Sequence, residues 1–303
     1  MIDITHKSNS YRKAIATATV SCSSVNTVKS IEEGTVPKGN VLESARIAAL
    51  FAAKKTSELI PDCHPLPIEY TQVRFELKDH QIMVEVEIAT VYKTGVEVEA
   101  MHAASVAALT MYDMLKPIDK GISIEKIQLL EKQGGKSDLK KKPLANLKAA
   151  VIVCSDSISK GHKTDTAGIT IKNQLANFGV EVVTYTIIPD EASEIRSVAE
   201  KEILNNTDLV IYTGGTGLSQ RDITPESLLP LIERRVPGIE EAIRNYGQQR
   251  TPYAMLSRSV AGFHKNTLFL ALPGSSRGAA ESMNAVFPQI LHVFSILGGQ
   301  RHD

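Results

Sequence analysis

Two regions with different hydrophobic patterns make up the chain of 303 residues. In the first region, YTQVRFEL and IMVEVEIATVY alternate apolar and polar residues, which is typical of antiparallel strands with one buried face. Apolar periodicity predicts a helix over 41–59, capped by Asn40, a second helix over 97–116 and a strand near 122–130. Helix, two strands, helix and strand together indicate an α+β fold of ferredoxin-like type.

The second region carries continuous apolar runs, LKAAVIVCS, VEVVTYTII, DLVIYTGG and TLFLALPG, each ending in turn residues. Helices are predicted at 165–178, 191–204, 225–234 and 238–249. Strands without face alternation, separated by helices, indicate an α/β three-layer fold with a mostly parallel sheet. In such a sheet, ligands bind beyond the carboxyl ends of the strands.

The segment GGKSDLKKKPLANLK at 134–148 separates the two patterns. Its paired glycines, lysine run and proline are typical of a linker. We therefore predict one domain over 1–138, a linker over 139–146 and a second domain over 147–303.

Composition excludes several classes of protein. Lys+Arg and Asp+Glu both number 34, so no net charge attracts nucleic acid or an anionic membrane. No stretch approaches the roughly 18 apolar residues that span a bilayer, and the N-terminus lacks a signal-peptide core. Cys22, Cys63 and Cys154 form no CxxC pair, which favours a reducing compartment. We expect a cytoplasmic protein that binds neither nucleic acid nor membrane.

Polar side chains in the first region are concentrated on the predicted helices and the turn between them. Asp113 and Lys116 are three residues apart, so they share a helix face and each shifts the proton affinity of the other. An isolated lysine on a helix is more often a solvated charge, and an isolated histidine is more often a packing residue. The combination of these groups, rather than any one of them, indicates a binding pocket.

KTGVEVEAMHAASVAALTMYDMLK, IPDCHPL, KGNVLESARIAALFAAKKT and GGKSD resemble the cyclic pyranopterin monophosphate synthase family, over 1–138. The resemblance implies conversion of a cyclic dihydro-GTP intermediate to cyclic pyranopterin monophosphate and pyrophosphate, without a cofactor. It implies that Asp113 and Lys116 are the catalytic acid–base pair. Asp62, Val98 and Asp138 depart from the family pattern without removing a titratable group. The implied substrate pocket comprises Lys38, Lys54, Asp62, Cys63, His64, Glu97, Val98, Glu99 and Lys136.

Candidate chemistry in the second region follows the predicted strand ends. The glycines of TGGTG at 213–217 let backbone N–H groups approach an anion, although a tight strand-to-helix turn explains them equally well. Asp190 in IIPDE and Asp222 in SQRDITPE provide carboxylates of the kind that hold Mg²⁺ with a nucleotide polyphosphate, while Asp190 alone also fits a helix N-cap. The other candidate binding residues at this edge are Ser155, Asp156, Gly214, Gly215, Thr216, Gly217, Pro273, Gly274 and Ser275.

VCSDSIS, IIPDE, TGGTG, RDITPE and LPGS resemble the molybdopterin adenylyltransferase family, over about 147–303. That family transfers AMP from Mg-ATP to the terminal phosphate of molybdopterin, which implies that Asp190 and Asp222 are catalytic and hold the metal. A sister branch retains TGGTG but lacks both aspartates, so their presence favours the catalytic branch. The residues that follow LPGS, in LPGSSRG at 272–278, depart from the usual pattern of the family.

Together the resemblances imply a bifunctional enzyme of molybdenum cofactor biosynthesis, with pterin substrates and ATP as its partners. Both families form symmetric oligomers, so a homo-oligomer, a trimer or a hexamer, is expected. Two alternatives stay open at this point. In the first alternative, the second domain is a non-catalytic module that binds molybdopterin. In the second, it is a molybdate-inserting enzyme that lacks the large extra domains of that family.

Overall fold

The computed structural model describes residues 1–135 and 146–299. The chain divides into two compact units, Met1–Lys140 and Lys141–Asp303. Of the predicted linker, only Asn146 lies among the described residues, and Lys136 and Asp138 lie outside them.

The N-terminal unit is built on a four-stranded antiparallel sheet in the order β2-β3-β1-β4. Its core is rich in alanine: Ala45 and Ala49 of α2 and Ala104 and Ala108 of α4 belong to the same buried apolar cluster as the strands. The elements are β1 (Ser10–Ser21), α1 (Val25–Glu32), α2 (Val41–Lys54), α3 (Thr56–Leu59), β2 (Tyr70–Lys78), β3 (Gln81–Tyr92), α4 (Glu97–Leu115) and β4 (Ser123–Gln133).

The central strand β1 and the short helix α1 were not among the predicted elements. Strand β1 buries Ala14, Ala16 and Ala18 on its inner face. Alanine is a poor strand former and gives a weak alternation signal, so the pattern did not stand out. Tertiary pairing with β3 and β4 fixes this segment as a strand.

The helix predicted over 41–59 is wrong in its last turns. Helix α2 ends at Lys54, and Thr56–Leu59 form a separate short helix. The Thr56 hydroxyl donates to the carbonyls of Ala52 and Ala53 at 3.0 and 3.1 Å. Such back-bonding by threonine competes with the helical ladder and bends the chain.

The C-terminal unit contains a six-stranded sheet in the order β6-β5-β7-β10-β9-β8. Alternate residues of its strands enter two separate apolar cores, so helices cover both faces. The strands are β5 (Lys148–Cys154), β6 (Glu181–Ile188), β7 (Leu209–Thr213), β8 (Arg234–Arg235), β9 (Val260–His264) and β10 (Thr267–Leu272). The helices are α5 (Asp156–Ser159), α6 (Ala167–Asn177), α7 (Ala192–Leu204), α8 (Thr224–Leu228), α9 (Pro237–Gln248), α10 (Ser276–Val286) and α11 (His292–Leu297).

The four predicted strands β5, β6, β7 and β10 are mutually parallel, which confirms the predicted sheet. The antiparallel strands β9 and β8, which were not predicted, extend one edge. The helix predicted over 225–234 is wrong beyond Leu228. Pro230 cannot continue the helical ladder, and the chain passes through a 3₁₀ turn into β8.

No helix in the described parts of the chain has both the length and the apolarity needed to cross a membrane.

Candidate active sites

An ion cluster at the C-terminal end of α4 joins three of the predicted site residues. The Nζ of Lys38 lies 2.7 Å from Asp113 Oδ2, and the Nζ of Lys116 lies 2.7 Å from Asp113 Oδ1. The Lys116 and Lys38 ammonium groups lower the pKa of Asp113 to about 2. The same pairing raises the pKa of Lys116. Asp113 is therefore an ionised acceptor near neutral pH, and Lys116 carries the proton.

A second group lies at the N-terminal end of α4. Glu99 is only 2% exposed, and its Oε1 accepts a hydrogen bond from Cys63 Sγ at 3.2 Å. Burial raises the pKa of Glu99, and burial together with the Glu99 contact raises the pKa of Cys63 to about 12. Glu99 Oε2 is buried and has no hydrogen-bond partner among the described residues. This oxygen is open to a donor from a ligand.

The remaining predicted residues of the N-terminal unit lie near these two groups or outside the described chain. Glu97 Oε1 is 3.5 Å from Lys132 Nζ, and His64 Nε2 is 2.8 Å from the Ile2 carbonyl. Lys54, Asp62 and Val98 are exposed. Lys136 lies outside the described residues.

Helix α4 separates the two groups. Asp113 lies sixteen positions after Glu97, which corresponds to about 24 Å along the helix axis. Helix α2 runs antiparallel to α4, since Lys38 meets Asp113 while Thr56 meets His102 at 3.1 Å. Lys54 therefore lies toward the end with Glu99. One copy of the unit does not bring the predicted pocket residues to one place.

In the C-terminal unit, the predicted site residues do meet at the carboxyl edge of the parallel strands. The backbone N–H of Asp156 donates to Asp190 Oδ2 at 3.1 Å, and the N–H of Asp190 donates to Asp156 Oδ1 at 3.2 Å. The Thr213 hydroxyl donates to the Pro273 carbonyl at 2.8 Å. Ser155 and Ser275 cap α5 and α10 at the same edge.

Glycine is required in the TGGTG loop by both conformation and space. Gly214 and Gly215 have φ of +105° and +60°. A Cβ on Gly215 would contact Thr224 Oγ1 and lie 3.1 Å from Asp190 Oδ1. A Cβ on Gly217 would lie 2.8 Å from Asp222 Oδ2. The loop thus forms a cradle whose wall includes both predicted catalytic carboxylates.

Asp190 has the chemistry of a ligand-binding carboxylate. Its Oδ1 is buried without a hydrogen-bond partner in the described part of the chain, as is the hydroxyl of Thr224 beside it. Burial raises the pKa of Asp190, and the nearby charges of Asp156 and Asp222 add to that effect. A cation at this position would relieve both the burial cost and the repulsion.

Magnesium fits this donor set. The described residues contain no cluster of three or more ligating side chains that could hold a metal alone. Mg²⁺ bound with a nucleotide needs only one or two carboxylates, because phosphate oxygens and water complete its shell. Asp190 and Asp222 are the residues that would hold it.

Two arginines that the sequence did not single out contact this edge. Arg221 Nε and Nη2 donate to Asp156 Oδ2 at 3.0 and 2.8 Å, and Nη2 donates to Glu191 at 2.9 Å. These hydrogen bonds from Arg221 lower the pKa of Asp156. Arg258 reaches the loop from the segment before β9. Neither contact has a local sequence signal, although Arg221 lies inside the motif RDITPE.

A pocket of about 250 Å³ adjoins the Pro273–Ser275 turn, between α9 and α10. Its wall includes Thr251, Tyr253, Ser257 and Arg277. The departure LPGSSRG places Arg277 here, where it pairs with Glu281 at 2.8 Å. The pocket offers space for an organic group beside the glycine cradle.

Comparison with known proteins divides the chain in the same way. Residues 1–135 match the MoaC family, and residues 150–292 match the family described as "Probable molybdopterin binding domain".

Relatives with both regions exist. The molybdenum cofactor biosynthesis bifunctional protein of Chlorobaculum tepidum is 40% identical over 302 residues, covering 100% of this chain and 96% of that protein. The cyclic pyranopterin monophosphate synthase of Thermomicrobium roseum is 46% identical over 139 residues, covering 45% of this chain and 83% of that protein. The crystal structure of the molybdopterin biosynthesis enzyme MoaB from Thermus thermophilus has 39% identity and a TM-score of 0.48. It covers 52% of this chain and 99% of its own.

Proposed function

Because the chain belongs to the family of bifunctional molybdenum cofactor biosynthesis proteins, we propose that its two units catalyse two separate steps of that pathway. The N-terminal unit would convert a cyclic dihydro-GTP intermediate to cyclic pyranopterin monophosphate with release of pyrophosphate. The C-terminal unit would transfer AMP from Mg-ATP to molybdopterin. The sulfur-adding step between them requires other proteins.

The ion cluster of Lys38, Asp113 and Lys116 supports the first reaction. A triphosphate substrate requires converging cations, and the rearrangement requires proton transfer near neutral pH. Asp113 is ionised and would orient Lys116, whose charged ammonium group would be the proton donor. The free oxygen of Glu99 would accept an N–H of the substrate ring.

The separation of these groups along α4 supports a homo-oligomeric site. Two copies could bring Glu99 of one to the Asp113 cluster of the other. Exposed apolar side chains on α2 and α4 offer a surface for that contact: Ile47, Phe51, Leu109 and Tyr112. Mixing an Asp113→Asn protein with a Glu99→Gln protein should then restore part of the activity that each lacks. Failure of the mixture to gain activity would contradict a shared site.

For the fold of this unit, we propose the ferredoxin-like arrangement. The strand order β2-β3-β1-β4, the antiparallel pairing and the position of α4 between β3 and β4 support it.

The second reaction is supported by one observation above all: Asp190, Asp222 and the glycine cradle meet at the carboxyl edge of the sheet. Backbone N–H groups of the loop would bind the pterin phosphate and hold it in line with the α-phosphorus of ATP. When bound, Mg²⁺ supplies charge neutralisation for the leaving pyrophosphate. Asp190 and Asp222 would hold the magnesium ion, and the adjoining pocket would take an organic ring.

The test is AMP transfer. Wild-type protein, Asp190→Ala and Asp222→Ala would each be incubated with molybdopterin and Mg-ATP, and molybdopterin affinity would be measured on the same samples. We expect each substitution to raise the barrier by roughly 3 kcal/mol, as removal of an electrostatic group does elsewhere, with affinity retained by the loop. A wild-type protein that binds molybdopterin and never consumes ATP would instead be a binding module.

A further inference from the structure

Asp222 lies at the end of an exposed turn, residues 218–222, that follows the TGGTG loop. Within the turn, the N–H of Ser219 donates to Asp222 Oδ2 at 2.8 Å, and the N–H of Asp222 donates to the Ser219 carbonyl at 3.0 Å. These bonds orient the carboxylate only as long as the turn keeps its shape. An exposed five-residue turn has little packing of its own to keep it.

Arg258 contacts both ends of this turn. Its Nε donates to the Gly217 carbonyl at 2.7 Å, and its Nη2 donates to the Asp222 carbonyl. Its Nη1 pairs with Glu226. Its backbone N–H donates to the Thr216 carbonyl at 3.0 Å. Arg258, a single residue just before β9, thus connects the start of the turn, the end of the turn and helix α8 that follows it.

The direction of these contacts determines the role of Arg258. Its guanidinium donates to two carbonyls of the loop segment and to the Glu226 carboxylate on α8, and these charge-assisted bonds are stronger than neutral ones. Gly214 and Gly215 are held independently, because the N–H of Gly214 donates to Leu272 and the N–H of Thr224 donates to Gly215, each at 3.1 Å. Loss of the Arg258 side chain should therefore loosen the turn and leave the cradle in place.

We propose that Arg258 is the positioning residue for Asp222. It fixes residues 217–222 and thereby aims the Asp222 carboxylate at the site, without touching substrate. The contacts of Arg258 show how it fixes the turn. Its effect on catalysis rests on the proposed AMP transfer.

The experiment compares wild type with Arg258→Gln, Arg258→Lys and Arg196→Gln, the last an exposed arginine on α7 that serves as control. Amide hydrogen exchange reports on the turn, and steady-state kinetics report on the reaction. In Arg258→Gln, the amides of Ser219 and Asp222 should exchange at least about tenfold faster, while β5 and β7 stay protected. The kcat for AMP transfer should fall about tenfold or more, with the molybdopterin KM within about threefold. Arg258→Lys should recover part of both, because it retains the charge beside Glu226.

Unchanged exchange at Ser219 and Asp222, or an unchanged kcat, would overturn the proposal. Equal loss of kcat and molybdopterin affinity, with exposure of β7, would mean that Arg258 merely supports the fold. If Arg258→Gln does not fold, the same comparison on Arg258→Lys decides the question. A wild type without AMP transfer would overturn the proposed function, and the exchange pattern would still show whether Arg258 fixes the turn.

Discussion

In the Lys38–Asp113–Lys116 cluster, the charges of single side chains determine which group holds the proton. From the sequence alone, Asp113 and Lys116 are two opposite charges three residues apart, and either one can be the proton donor or the acceptor. Lys38, which is 75 positions away from Asp113, makes the pair asymmetric because it stabilises the Asp113 carboxylate as well. In the proposed reaction, the proton that moves near neutral pH would therefore start on Lys116.

Asp119 illustrates a buried carboxylate with a different purpose. It is 5% exposed and accepts hydrogen bonds from Ser23 N, Ser23 Oγ, Thr27 Oγ1 and Gly121 N. Burial alone would raise its pKa, but these four bonds outweigh burial and lower it to about 2. Asp119 thereby ties the end of β1 and the start of α1 to the turn before β4.

This contact predicts an acid-dependent loss of stability. Because the pKa of Asp119 is depressed from 3.8, its contribution is fully present above pH 3.8 and disappears as the pH falls toward 2. The contribution is about 2 kcal/mol by linkage. Urea unfolding followed through the amides of β1 should show Asp119→Asn losing at least this amount at pH 7. Most of the difference from wild type should vanish near pH 2.

The matched control for this prediction is Asp79→Asn, an exposed aspartate on the hairpin of the same unit. It should change stability by less than about 0.5 kcal/mol. An Asp119→Asn protein with the same gap to wild type at both pH values would refute the pKa assignment.

At the scale of elements, the sequence was most informative where one physical effect dominated. Continuous apolar runs mark β5, β7 and β10, because strands covered on both faces have no polar side. Strand β1 gave no such signal, since most of its buried side chains are alanines, which form helices more readily than strands. The contacts of Arg221 and Arg258 could not be predicted from the sequence, because they join backbone carbonyls and distant side chains without any local pattern.

The glycine loop predicts an effect of a single methyl group. Gly215→Ala should impair AMP transfer, because its Cβ would occupy the space between Thr224 and Asp190. Gly179→Ala is the matched control: its φ of +74° imposes similar backbone strain, and nothing lies within 4 Å of the added Cβ. Gly179→Ala should lose about 1 kcal/mol of stability from backbone strain alone, and Gly215→Ala should lose more because its Cβ would also meet Thr224 Oγ1; thermal unfolding measures both losses. Equal activity in the two proteins would show that the cradle does not hold the substrate.

At the scale of the whole molecule, each unit has its own apolar core, one in the N-terminal unit and two flanking the sheet of the C-terminal unit. Two fragments separated between residues 138 and 146 should therefore fold independently. Circular dichroism and activity assays on 1–138 and 146–303 test this prediction, and each fragment should retain its own reaction. Precipitation of both fragments would mean that the units depend on each other for folding.

We propose that one chain holds two independent active sites, and assaying both reactions in two single-site variants tests this most directly. Asp113→Asn and Asp190→Ala would each be assayed for both reactions, with the cyclic dihydro-GTP intermediate and with molybdopterin plus Mg-ATP. Asp113→Asn should abolish pyranopterin formation and retain AMP transfer, because it removes a group only at the first site. Asp190→Ala should do the reverse. Loss of both reactions in either protein, or near wild-type pyranopterin formation by Asp113→Asn, would contradict this account.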